Sequence, residues 1–154
     1  MSERVTIEAT HHMRDNCLCL HTQRAARVLA RWFDDALRPH GLTNAQFSLL
    51  MTLNRPHPQT LGEISNLLCA DRTTLTAALK TLARRGLVYV AEDPRDRRAR
   101  EISLTSEGHA SLARAYPTWE ASHAALERDL QGVNADQLRQ DLDALSFSKP
   151  WRPS

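Results

Sequence analysis

The chain has 154 residues, of which 42% are hydrophobic and 25% are charged, so the composition excludes general disorder and suits one domain with its own core. No apolar run approaches the roughly 18 residues that a membrane helix needs, and the polar N-terminus does not resemble a secretory signal. Three cysteines, an odd number in a chain of this size, do not indicate a disulfide scaffold, and we expect a cytoplasmic protein.

The charge is distributed unevenly along the chain, although the formal net charge is only +2. Residues 71–100 contain eight Lys or Arg against four Asp or Glu, whereas residues 101–154 contain five against eight. One basic segment on a more acidic scaffold is typical of a module that faces nucleic acid. This segregation predicts that residues 71–100 carry the binding surface.

A long amphipathic helix is predicted near the N-terminus, after a lead-in at residues 1–13 that has no clear period and is expected to be loosely ordered. Apolar residues recur at helical spacing from about Asp15 to Arg38, and Pro39 and Gly41 end the pattern. Residues 43–46 (Thr-Asn-Ala-Gln) then have the sequence of a capping box, which predicts the start of a short second helix.

Two further helices, at about residues 60–68 and 71–85, are separated by a three-residue turn and have the dimensions of a helix-turn-helix. A second capping box, at residues 60–63, begins the first of these helices. Gly86 is expected to end the second, because glycine adopts the left-handed backbone conformation at a helix end with the least steric cost. We expect the second helix to be a recognition helix, which presents polar side chains to base edges in a major groove. The candidate DNA contacts on it are Arg72, Thr73, Thr74, Thr76 and Lys80. Thr73 and Thr74 can equally contact a phosphate or cap the helix.

A basic hairpin is predicted after this helix. Two β-prone runs, at 87–90 and 102–104, flank a tip that consists almost entirely of charged residues, and Asp93 with the following proline sets its turn. Four arginines lie within six residues at this tip, namely Arg95, Arg97, Arg98 and Arg100. Their crowding is repulsive unless carboxylates such as Asp96 or an external anion offset it, and a narrow minor groove is such an anion. The alternative is a merely solvated charged hairpin.

Two more helices are predicted after the hairpin. The first begins at Thr105, and Pro117 within it is expected to kink or break it. The second begins at Asn134, and its apolar stripe and tail contain Leu138, Leu142, Leu145, Phe147 and Trp151. Since these stripes need burial, we expect segments 15–39 and 105–147 to pack against the same elements of a second subunit. The alternative is that they fold back on their own chain.

The hairpin resembles the signature of the MarR family of bacterial transcription regulators. The resemblance is carried by residues 93–108 (DPRDRRAREISLTSEG) and extends back through residues 61–64, 74–76 and 85–87. It implies one MarR-like domain over residues 1–154, mainly α with a small β-wing, with a winged-helix DNA-binding part at about 43–104.

The family resemblance also implies partners and roles. The chain would form an obligate homodimer that binds a pseudo-palindromic operator in double-stranded DNA. By analogy, Asp96 would orient Arg98, and Arg98 would enter the minor groove. The DNA-binding surface implied by the resemblance agrees with the surface expected from the charge pattern, so we expect a nucleoid-associated regulator. Of the two directions of regulation, which the residues themselves do not decide, the resemblance favours a repressor.

Family members are commonly released from DNA by a small ligand, often an aromatic acid, or by oxidation of a cysteine. For a ligand, the analogous site is the crevice between the first long helix, the helix at 43–53 and the helix after the hairpin. The candidate ligand-binding residues are His21, Arg24, Phe47, Met51 and Trp119. The alternative is that the apolar members belong to the core and the charged members to a solvated face.

Cys19 is the candidate for redox sensing. Residues 16–20 resemble the start of the organic-hydroperoxide-sensing branch of the family, with Cys19 at the reactive position. However, Gln23 and Phe33 stand where that branch has tyrosines, and the alternative is that Cys17 and Cys19 are buried structural residues. The two thiols lie about 200° apart on a helix, so they cannot hold a metal together. The histidines also lack ligand-like spacing, so no metal and no cofactor is expected.

The sequence contains no glycine-rich phosphate loop, nucleophile elbow or paired-histidine metal motif, and therefore does not indicate an enzyme. A winged helix can also serve as a protein-interaction module, but such a module has no need of four clustered arginines. The prediction is a DNA-binding repressor that a small aromatic or other organic ligand releases. Its alternative is a repressor that responds to organic hydroperoxide through Cys19.

Overall fold

The computed structural model describes residues 4–148, and Trp151 of the predicted tail lies outside this range. The described chain is mostly helical, with a small antiparallel sheet, as the sequence predicts. A 3₁₀ turn at Arg38–His40 joins the second helix to the third. The elements are α1 (Ile7–Asn16), α2 (Leu18–Leu37), α3 (Asn44–Leu53), β1 (Gln59–Thr60), α4 (Leu61–Leu68), α5 (Arg72–Arg84), β2 (Val88–Asp93), β3 (Asp96–Leu104), α6 (Ser106–Asp129) and α7 (Ala135–Ser146). None of the helices within residues 4–148 is both long and apolar enough to cross a membrane.

The predicted loose lead-in is wrong, because α1 occupies most of it. The side chain of Thr6 caps this helix and accepts a hydrogen bond from the backbone N–H of Ala9 at 3.2 Å. The long helix α2 then begins at Leu18 rather than at residue 15, since Cys17 is extended and its Sγ accepts the N–H of Leu20 at 3.4 Å. No residue of α1 is buried, which explains why no apolar periodicity marks it.

Both predicted capping boxes are confirmed, at the starts of α3 and α4. Asp71 caps α5, and residues 69–71 form the turn between α4 and α5. Cys69 in that turn has a left-handed backbone with φ of 48°. The predicted break at Pro117 is absent, and α6 continues through this residue from end to end.

The hairpin is longer than its β-prone runs. Strand β3 lies between β1 and β2, with Val88 opposite Leu104 at one end and Asp93 opposite Asp96 at the tip. Backbone pairing therefore continues through the charged residues, because a ladder of hydrogen bonds needs no buried side chains. The two-residue strand β1 was not predicted, and its Gln59 lies opposite Ile102.

One hydrophobic core joins the winged helix to α2 and α6. Its most completely buried large side chains come from five different elements and are Leu37, Leu50, Ile64, Leu82 and Ile102. Leu112 and Ala115 bring α6 into the same core. In contrast, apolar side chains on α2 and α7 are exposed, and they include Leu18, Val28, Trp32, Leu142 and Leu145. The predicted dimerisation segments therefore leave apolar surface uncovered in the protomer.

Candidate nucleic-acid interface

Helix α5 has one buried face and one polar face. Leu75, Leu79 and Leu82 are buried in the core, and their spacing of three or four residues leaves the opposite side of the helix in solvent. All the predicted contacts on this helix are exposed, namely Arg72, Thr73, Thr74, Thr76 and Lys80. The helix therefore presents a continuous polar surface.

Hydrogen bonds divide these five side chains into two groups. The Thr74 hydroxyl donates to Asp71 Oδ2 at 2.6 Å, and this bond together with the Thr74 backbone N–H holds the pKa of Asp71 below its ordinary value. The Thr76 hydroxyl donates to the carbonyl of Arg72 at 2.7 Å. Within residues 4–148, no partner is recorded for the side chains of Arg72, Thr73 or Lys80. Thr74 is thus bonded to the N-cap residue Asp71, while the side chains of Arg72, Thr73 and Lys80 extend from the helix.

Two of the four wing arginines stabilise the hairpin itself. Asp93 is buried and its Oδ1 accepts the backbone N–H of Arg95 at 2.8 Å and the Nε of Arg95 at 3.3 Å. The backbone N–H is the main reason that the pKa of Asp93 is lowered. Arg100 donates to the carbonyls of Arg97 at 3.0 Å and Ala99 at 3.3 Å. These contacts hold the tip in one shape.

The other two wing arginines project from the tip. Asp96 accepts a hydrogen bond from the backbone N–H of Arg98 at 2.9 Å, so the contact of this carboxylate is with the main chain rather than with a guanidinium. In the described part of the chain, neither Arg97 nor Arg98 has a recorded side-chain partner. Their charges are the ones left for an external anion.

A basic cleft lies where the wing meets the recognition helix. It has a volume of about 280 Å³ and is lined by Thr60, Leu61, Gly62, Arg72, Arg98, Ala99 and Arg100. Three guanidiniums from two elements thus line a cleft at the first turn of α4, where the positive end of the helix dipole also favours an anion. The first turn of α4 was not predicted to face DNA, because only the pairing of β1 with β3 brings it close to Arg100.

The predicted ligand residues do not form one site. Phe47 is buried and stacks on Trp119 with ring centroids 5.9 Å apart, whereas His21 and Arg24 are exposed on α2. A cavity of about 360 Å³ lies between α3 and α6, and of the predicted residues it includes Met51. Its lining is Met51, Asn54, His109, Leu112, Ala113, Tyr116 and Pro117.

The predicted redox residue is accessible. Cys19 is exposed, and its Sγ accepts a hydrogen bond from Gln23 Nε2 at 3.1 Å. Cys17 is half-buried, so the alternative of two buried cysteines does not describe the protomer. Among the residues that the structure describes, no three His, Cys, Asp or Glu side chains are grouped to hold a metal ion.

The sequence model of the MarR family matches residues 42–99, which contain the helix-turn-helix and most of the wing. The transcriptional regulator MosR of M. tuberculosis, solved in complex with DNA, superposes with a TM-score of 0.78 at 37% sequence identity, over 85% of this chain and 94% of that one. The chain belongs to the MarR family. This family consists of DNA-binding transcription regulators.

Other relatives of this MarR-family chain are also regulators. The transcriptional activatory protein BadR of Rhodopseudomonas palustris is 31% identical over 96 residues, which cover 60% of this chain and 55% of BadR. The regulator TtmR of Methylorubrum extorquens is 35% identical over 61% of this chain and 48% of TtmR. This chain therefore spans about half the length of these two relatives.

A second solved MarR-like structure is the transcriptional repressor CouR bound to a 23-mer DNA duplex. It shares 29% identity over 93% of this chain and 94% of that one, with a TM-score of 0.68. CouR from Rhodococcus jostii RHA1 has also been solved with p-coumaroyl-CoA bound.

Proposed function

We propose that this MarR-family protein is a homodimeric repressor that binds a pseudo-palindromic operator through α5 and the wing, and that a small organic ligand releases it. One observation carries the DNA part of the proposal. The free side chain of Arg72 on α5 and that of Arg98 on the wing line the same basic cleft, so one continuous basic surface connects the helix with the wing.

Each part of this surface suits a different part of a duplex. Arg72 and Lys80 can reach base edges or phosphates from a helix in the major groove. Arg97 and Arg98, on the projecting wing, suit the narrow and strongly negative minor groove beside it. The cleft between them suits a backbone phosphate, which positions the protein but carries no sequence information.

The exposed apolar faces of α2 and α7 support the homodimer. Uncovered Leu, Val and Trp side chains on these helices favour burial against a second copy, since large contiguous apolar patches are rare on monomers. A two-fold dimer would place two recognition helices on half-sites about one helical turn apart, in an operator of roughly 15–20 base pairs.

The cavity between α3 and α6 supports release by a ligand. A volume of about 360 Å³ is near the lower end of small-molecule sites and suits a single aromatic ring with short substituents. Met51, Leu112 and Tyr116 offer apolar contacts, while Asn54 and His109 offer hydrogen bonds. Because α3 belongs to the winged helix and α6 to the proposed dimer region, a ligand here would act on the joint between them.

The test starts from a duplex that the protein selects from a randomised library. Light scattering should give the mass of two chains, alone and on DNA, and fluorescence anisotropy should show tight binding that weakens steeply with salt. Millimolar salicylate or 4-hydroxybenzoate serves as the release probe. A purely monomeric mass, or failure to select any duplex, would contradict the proposal. Salt-dependent selection also separates it from a protein-interaction module.

Redox release through Cys19 is the second candidate, because the thiol is exposed and accepts an amide hydrogen from Gln23. The thiolate is the form of a cysteine that reacts with a peroxide. The thiolate would attack the peroxide oxygen, yielding a sulfenic acid and releasing an alkoxide that takes up a proton. Stoichiometric cumene hydroperoxide should then release DNA from the native protein but not from Cys19→Ser. Unchanged binding after oxidation would exclude this route.

A further inference from the structure

Two adjacent arginines end the recognition helix, and their contacts differ. Among residues 4–148, the guanidinium of Arg84 contacts only Thr81 of its own helix, with Nη2 at 3.4 Å from the hydroxyl. Arg85 Nη2 donates to the carbonyl of Gly41 at 2.8 Å, and its Nη1 donates to Gln46 Oε1 at 3.2 Å. A charge at a helix C-terminus is favourable in either case, but only the second arginine connects distant parts of the chain.

The acceptors of Arg85 lie at the joint between α2 and α3. Gly41 follows the 3₁₀ turn and has a left-handed backbone with φ of 68°. Gln46 Oε1 also accepts the backbone N–H of Thr43 at 3.1 Å, as part of the capping box that begins α3. The guanidinium of Arg85 therefore holds the C-terminal end of the recognition helix against the residues that join α2, a proposed dimerisation helix, to α3.

The main chain beside Arg85 is tied to the second proposed dimerisation segment. The carbonyl of Gly86 accepts the Thr105 hydroxyl at 2.6 Å, and the carbonyl of Leu87 accepts the Thr105 N–H at 3.2 Å. Thr105 is the N-cap of α6. The residues after α5 are thus bonded to the N-cap of α6 through the hydroxyl and the N–H of Thr105, and Arg85 bonds to the α2–α3 joint through its side chain.

We propose that Arg85 is a positioning residue for DNA binding, whose forked contact sets the angle between the recognition helix and α2. The inference rests on the proposed dimeric function. Helix α5 has 13 residues and is about 20 Å long. A rotation of about 10° around its C-terminal end moves its first turn by about 3 Å, which is close to the rise of one base pair. Small errors in this angle therefore change the half-site separation that two subunits can read.

Positioning and phosphate binding predict different results for Arg85. Loss of a phosphate contact lowers the slope of log affinity against log salt by about one for each contact. Loss of a positioning contact leaves that slope unchanged but relaxes the preference for one half-site spacing. Arg85→Lys is the sharpest variant, because it keeps the charge but cannot reach two acceptors in a fixed fork.

The experiment compares Arg85→Lys and Arg85→Ala with Arg84→Ala as the matched control. The probes are the duplex selected by the native protein and versions with one base pair inserted or deleted between the half-sites. Both Arg85 variants should bind the selected duplex about tenfold more weakly, as for loss of a charge-assisted hydrogen bond. They should also discriminate less between spacings, with an unchanged salt slope, while Arg84→Ala keeps the native discrimination.

Three outcomes are distinguishable. Native spacing discrimination by Arg85→Lys overturns the inference, even if Arg85→Ala fails to fold. A reduced salt slope with native discrimination identifies a phosphate contact and also overturns it. If the native protein itself shows no spacing preference, the proposed dimeric function fails first, and the inference fails with it.

Discussion

Gly108→Ala should destabilise the protein through one backbone contact. Gly108 lies in the first turn of α6, where its N–H donates to the Thr105 hydroxyl at 3.0 Å. A Cβ at this position would overlap the carbonyl oxygen of Leu87 and lie 3.1 Å from the carbonyl carbon of the same residue. That oxygen accepts the N–H of Thr105. Because the clash is with main chain, no side-chain rotation can relieve it.

The magnitude follows from the shift that the extra methyl group requires. Helix α6 and the start of β2 would have to separate by about 1 Å to restore an allowed distance. Overpacking of this kind lowers the free energy of unfolding by about 1–3 kcal/mol. Replacing a helical glycine by alanine raises it by roughly 0.5–1 kcal/mol, because the unfolded chain loses conformational freedom. A net loss of about 1–2 kcal/mol corresponds to a Tm lowered by roughly 2–8 °C for a chain of this size.

Thermal unfolding followed by circular dichroism tests this expectation, at one protein concentration because dimerisation would affect Tm. Gly62→Ala is the matched control, since the nearest atom to its Cβ is the Arg72 guanidinium at 3.7 Å and its φ is ordinary. The control should unfold at the native Tm or slightly above it. A Tm of Gly108→Ala at or above the native value would refute the reasoning.

Arg98→Ala should weaken operator binding by about 1–3 kcal/mol per half-site with an unchanged Tm, measured by anisotropy with Arg14→Ala on α1 as the control; equal affinities would contradict the wing assignment. Thr76→Ala should change the base preference at defined operator positions, read by repeating the library selection, and an unchanged preference would exclude a base contact. The pKa values of Glu63 and Asp71 are lowered, by the Thr60 backbone N–H and the Thr74 hydroxyl respectively, from ordinary values of 4.5 and 3.8. As the pH falls, these two carboxylates are therefore protonated in the unfolded chain before they are protonated in the folded protein. Their contribution to the free energy of unfolding is complete above the ordinary pKa values and decreases as the pH falls below them. Between about pH 6 and about pH 3, the free energy of unfolding, measured with denaturant, should fall less in Asp71→Asn than in the native protein. An equal fall in the two proteins would contradict this cause.

Much of the fold could be predicted from local chemistry. Thr43, Thr60 and Thr105 each cap the helix that was predicted to begin there, because a cap depends on residues three positions apart. Strand β1 could not be predicted, since its two residues become a strand only by pairing with β3. Helix α1 was missed for a related reason, as a helix with no buried face has no apolar period.

The candidate interface was predictable as a surface but not residue by residue. The basic segment and its exposed side were evident from charge and periodicity. The sequence could not separate Arg95, which Asp93 holds, from Arg98, which projects. Nor could it separate Arg84 from its neighbour Arg85, whose bond to Gly41 spans 44 residues. These distinctions depend on long-range contacts, which residue type alone does not determine.

The proposed function requires that two copies of α5 and the wing bind one duplex together. Hydroxyl-radical footprinting on the selected duplex tests it most directly, because it maps the contacted sugars on both strands. We expect two protected regions centred about 10 base pairs apart, with protection extending into the outer minor grooves where the wings would lie. A single protected region, or protection without the minor-groove flanks, would contradict it.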